Sequence, residues 1–69
     1  MEELVQEAEE LIEEIMGLLE DLPERAEEFA DSVRDKVTDI GEFIDARQCV
    51  SNAQVLALQN MLAGVRRWL

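Results

Sequence analysis

Apolar residues return every three or four positions along nearly the whole chain, and the two places where that rhythm stops divide it into three helical stretches. From Met1 to Leu22 the positions Leu4, Ala8, Leu11, Ile15, Leu18 and Leu22 step by four and three, and Val5, Ile12 and Leu19 widen the stripe by one column. Three apolar columns in seven is the face of a helix packed into a bundle. A first helix is expected over residues 2–20 or so.

The rhythm first breaks at Pro23, which cannot donate a backbone hydrogen bond and suits only the first turn of a new helix. Asp21 and Glu24 have the spacing of a capping box. Helix 2 is therefore expected from about residue 22 to 48, with Ala26, Phe29, Ala30, Val33, Val37, Ile40, Phe43 and Ile44 as its stripe. Gly41 weakens it locally by about 1 kcal/mol relative to Ala. The second break has neither Pro nor Gly, but Ser51 and Gln54 match the Ser-x-x-Gln capping box, and Val50 is placed to staple onto Val55. Helix 3 is expected over about 52–68, with Arg66 and Arg67 complementing the negative end of its dipole. Connections this short turn each helix back along the one before it. The expected fold is all-α, one domain spanning 1–69, with three antiparallel helices. At 1.5 Å per residue helix 2 would measure about 39 Å against roughly 25–30 Å for its neighbours, so part of it needs cover from outside the chain. A helical-bundle homodimer would supply that cover.

Helix 3 carries more apolar surface than one core requires. On a wheel Ala57, Trp68, Met61, Val65, Leu58, Leu69, Leu62 and Val55 fill an arc of about 160°, with Leu56 and Ala63 on the opposite side, whereas one bundle core needs about 100°. The surplus predicts two interfaces, one to its own helices and one to a second chain. Leu58, Met61, Leu62, Val65, Trp68 and Leu69 are the expected self-association residues, and Met and Trp are both enriched at protein interfaces.

Charge sharpens this picture. The 69 residues include 17 acids and 6 bases, for a net charge of −11. Residues 1–24 hold ten acids and no base, 25–45 hold seven acids with Arg25, Arg34 and Lys36, and 46–69 hold only Arg47, Arg66 and Arg67. Nucleic acid is not an expected ligand, because binding it takes cations that neutralise phosphates. A membrane surface is not expected either: the C-terminal helix has a Trp, two Arg and an apolar face, but the acids before it would be repelled by anionic lipid. The acidic opening "MEELVQEAEE" is unlike a secretory signal, and no apolar run reaches the ~18 residues of a membrane span, so the expected location is cytoplasmic. With Met1 at its start the chain is expected to be a complete small reading frame.

Catalytic and metal chemistry find little purchase. There is no His, which removes the usual nitrogen ligand of zinc, haem and helical di-iron sites. The stretch from Asp35 to Ala46 fails as a calcium loop, since its third position is Val37 and its twelfth Ala46. Cys49 is the only cysteine, without a His to activate it, and reads as a small hydrophobe. Acid pairs such as Glu9 with Glu13 sit on solvated helix positions where nothing shifts their protonation into a useful range. The expectation is therefore no enzyme, no catalytic residue, no cofactor and no metal.

Along helix 2, Glu24, Glu28, Asp31, Asp35, Asp39, Glu42 and Asp45 step by three or four and form a line of carboxylates about 5–6 Å apart, away from the apolar stripe. Arg34 is within reach of Asp31, and Lys36 of Asp39. Such a line keeps a sticky helical protein soluble, and it also offers a face to a basic protein partner. In size and acidity the chain resembles small phage and plasmid proteins that block restriction or CRISPR nucleases, a resemblance of composition only. It implies an inhibitor that mimics DNA in the cationic groove of a nucleic-acid-binding protein. The residues themselves favour a non-enzymatic protein–protein interaction module that self-associates through helix 3 and presents acidic outer faces on helices 1 and 2.

Overall fold

Ser51 opens the last helix as the sequence predicts. Its Oγ accepts from the Gln54 amide at 3.1 Å, and the Gln54 side chain accepts from the Ser51 amide at 2.9 Å, so two amides that the helix leaves unpaired are satisfied reciprocally. A computed structural model describes residues 2–69, with side chains from Glu3 onward; Met1 lies outside the described residues. It is all-helical: α1 spans Glu2–Leu19, a 3₁₀ turn covers Glu24–Ala26, α2 spans Glu27–Arg47 and α3 spans Asn52–Arg67, with no strand among the described residues.

The start of helix 2 differs from expectation. The Asp21 amide is taken up by Leu18 O at 3.0 Å, and the Leu22 amide by Leu19 O at 3.3 Å, in the turn that closes α1. Pro23 therefore becomes the cap, extended at φ −69° and ψ 159° and with no side-chain hydrogen bond, and the Asp21–Glu24 box does not form. The first turn is 3₁₀, closed by the Ala26 amide on Pro23 O at 2.9 Å. Helix 2 thus loses its first turns: its 21 α-helical residues measure about 31 Å, not 39 Å, so the length mismatch with its neighbours is smaller than the sequence suggested.

At the other end of α2, Gln48 does what glycine usually does. It sits at φ 55° and ψ 32°, a left-handed conformation that costs a residue with a Cβ roughly 1–2 kcal/mol, and its amide reaches Ile44 O at 2.6 Å. Its own side chain also donates to Asp45 O at 3.1 Å, satisfying a second carbonyl at the helix end. The chain then turns and lays α3 on its own α1.

The core takes one or two columns from each helix. Ala8, Ile15 and Leu19 of α1, Ala30, Val33, Val37 and Ile44 of α2, and Val55, Leu58, Leu62 and Val65 of α3 are buried together. Leu4, Leu11, Ile12, Leu18, Ile40 and Val50 pack around them, half-buried. No polar or charged residue is buried among the described residues, so apolar contact alone fills the interior. Along the α1–α3 seam, Gln59 donates to Glu7 at 3.4 Å and Arg66 to Glu14 at 2.6 Å. Each pair joins residues 52 positions apart, so α3 keeps pace with α1 along its length. Among the described residues no helix is long and apolar enough to cross a membrane.

Candidate interaction surfaces

All seven carboxylates of the helix 2 line, Glu24, Glu28, Asp31, Asp35, Asp39, Glu42 and Asp45, are exposed. Asp31 pairs with Arg34 at 3.2 Å as expected; both side chains are well exposed, so solvent leaves the pair at most a fraction of 1 kcal/mol. The expected Lys36–Asp39 pair is not among the ion pairs of the described residues. The second pair, Arg66 with Glu14, was not foreseen. It shows that Glu14, and Glu7 beside Gln59, lie at the edge of α3 rather than on the outermost face of α1.

The six apolar residues singled out on helix 3 divide. Leu58 and Val65 are 0% exposed and Leu62 7%, all within the core of their own chain, and Met61 packs half-buried against that core. Trp68 and Leu69 remain open, at 38% and 59%. Leu69 shares a wheel direction with Leu58 and Val65, but the helix ends at Arg67 and its side chain projects beyond the last turn. Leu56, on the far side, is 57% exposed.

One grouping escaped the sequence reading. Arg25, Phe29, Lys36, Ile40, Phe43 and Arg47 follow one another by steps of three, four or seven, which puts them on one side of helix 2. Contacts place the Arg25 and Phe29 end of this side against the C-terminal end of helix 3. Phe29 lies against Gly64, where a Cβ would stand 3.3 Å from the ring, and its centroid is 6.1 Å from that of Trp68 at an interplanar angle of 39°. The Arg25 guanidinium stands 5.7 Å from the centre of the Trp68 ring, and that of Arg47 5.0 Å from Phe43. Phe29, Ile40, Phe43 and Met61 are all only half-buried along this acid-free strip. The i, i+4 spacing of Arg25 with Phe29 and of Phe43 with Arg47 was the available signal.

The opposite seam, between α1 and α2, is hollowed. Shallow grooves of about 250, 260 and 360 Å³ follow one another along it, by Val5 and Gln48, by Ile12 and Gly41, and by Leu19 and Ala30. The middle one has an apolar floor at Ile12, Gly41 and Ile44, and the outer two mix apolar and polar surface. Glu9, Glu13, Glu24, Glu27, Asp31 and Asp45 stand at their edges.

Fold and surface together define a class, a small acidic protein of three helices with one apolar, cation-bearing strip. Compared with known protein families, curated proteins and solved structures, the chain matches none.

Proposed function

We propose that the chain is a non-enzymatic protein–protein interaction module that forms a homodimer through the α2–α3 strip and the C-terminal end of helix 3, leaving the acidic faces of helices 1 and 2 for a basic partner. The observation that carries this reading is the row of half-buried Phe29, Ile40, Phe43 and Met61 ending at exposed Trp68 and Leu69. A monomer leaves this much aromatic and aliphatic surface in water on one side, and cover by a second copy removes it. Aromatic and Met side chains rimmed by Arg are the composition of interface centres, not of solvated faces. The helices run up-down-up and antiparallel in this reading. Support for that path comes from the α1–α2 seam, where hollows advancing from Val5 through Ile12 to Leu19 on α1 retreat from Gln48 through Gly41 to Arg34 on α2.

Trp68 is the only tryptophan, so it reports the event directly. Its emission is expected to move to shorter wavelength as the protein is concentrated, because the second copy takes water off an indole that is 38% exposed in one chain. Emission that stays constant from dilute to concentrated solution, with the protein folded throughout, would overturn the reading.

A second reading, mimicry of DNA toward a nucleic-acid-binding protein, draws support from the exposure of all seven carboxylates and the engagement of Asp31 alone among them by a cation. Neutralising Glu28, Asp31, Asp35 and Glu42 to Gln or Asn should then abolish binding to a cationic protein groove. A scaffold would survive the same four changes with its self-association intact.

A further inference from the structure

We propose that the groove between α1 and α2 is a docking site for a cationic amphipathic helix of another protein. The inference deepens the reading of the chain as an interaction module by giving the basic partner a shape, and it does not depend on self-association.

The groove is a line of three hollows from Val5 on α1 to Leu22 just past its end, about 25 Å or some five turns of helix. Its floor is made by Ile12, Ile44, Leu19 and Ala30, and carboxylates stand on both banks: Glu9 and Glu13 from α1, Asp45 from α2. The one cation at its edge, Arg34, is turned to Asp31. An apolar floor between two acidic banks matches a helix with apolar residues at i, i+3, i+4 and i+7 and Lys or Arg on both flanks. Laid there, such a helix would be the fourth of a bundle.

Gly41 lines the central hollow. Gly64 is explained within the chain, because a Cβ there would press on Phe29 at 3.3 Å. At Gly41 a Cβ would meet nothing nearer than Ile12 Cδ1, at an ordinary 4.0 Å, so the fold itself tolerates alanine and would gain helix propensity from it. The missing side chain keeps the middle of the groove open.

The chain's own α3 is a poor candidate for the occupant. Its apolar row of Val55, Leu58, Leu62 and Val65 is already buried, and Arg66 is tied to Glu14. Nucleic acid and acidic helices would be repelled by the banks.

The test is calorimetric titration with a synthetic amphipathic helix of Leu and Lys, about 18 residues long, and with a scrambled peptide of the same composition. The intact protein should bind the amphipathic peptide at least about tenfold more tightly than the scramble, since both carry equal charge. Gly41→Leu, which fills the floor without altering charge, should remove most of that binding. Should Gly41→Leu disturb the fold, the rim variant Glu9→Gln, Glu13→Gln, Asp45→Asn still decides: it should weaken binding about tenfold. Glu28→Gln, Asp35→Asn, Asp39→Asn, outside the groove, should leave it unchanged. Equal affinity for both peptides, or equal loss from the two triple variants, would mean diffuse attraction to acid and would overturn the proposal. A Gly41→Leu protein whose own association constant falls would assign the groove to a second copy, and would also overturn it. A failure of the Trp68 emission to shift bears only on self-association and leaves this groove standing.

Discussion

Leu58→Ala is expected to destabilise the fold by about 3 kcal/mol, while Leu56→Ala, two residues away on the same helix, changes stability by no more than about 0.5 kcal/mol. Leu58 is 0% exposed at the centre of α3's inner row, with Ile15 and Val37 also fully buried in the same cluster, and truncating it leaves a cavity that three packed helices cannot easily close. Leu56 is 57% exposed. For a domain of this size total stability is of order 3–10 kcal/mol, so the first change removes a large share of it. Thermal unfolding should show a fall of roughly 12–24 °C for Leu58→Ala. Equal shifts for the two variants would mean that α3 presents a different face to the core than the one described.

Phe43→Ala should weaken self-association by about 30-fold, the effect of removing about 2 kcal/mol from an interface centre, with little change in the fold of the single chain. Phe43 is half-buried and stands outside the buried cluster, its ring facing the Arg47 guanidinium. What the substitution removes inside one chain is a cation–π contact worth on the order of 0.5–1 kcal/mol at an exposed site. The central Phe43 has apolar surface to give to a second copy, and Arg25, Lys36 and Arg47 flank it as the cationic rim of that contact. Sedimentation velocity at matched concentrations checks this. An unchanged association constant would move the interface off the α2–α3 strip.

Period and caps carried most of the architecture. The α1 stripe and the Ser51–Gln54 box place two of the three helices to within a residue or two, because apolar spacing and reciprocal capping are local and leave direct marks in the sequence. The start of helix 2 was misplaced because two local signals competed. The Asp21 amide could serve either a new cap or the turn ending α1, and only the folded chain shows that Leu18 O takes it. Helix 3 shows a different limit. A wheel gives the width of an apolar arc but not its division among neighbours, so Leu58, Leu62 and Val65 looked as available to a second chain as Trp68 and Leu69. The column of Arg25, Phe29, Lys36, Phe43 and Arg47 was hidden by treating charge and hydrophobicity as separate patterns, although the two share one side of α2. The α1–α2 groove depends on how closely two helices approach, which no single-helix pattern encodes.

Sedimentation equilibrium over a wide concentration range tests the central claim most directly. Self-association through the α2–α3 strip predicts a mass that rises from 7.9 kDa to twice that value over the same concentration range in which Trp68 emission shifts. A mass of 7.9 kDa at every concentration, from a protein that is folded and helical, would contradict it.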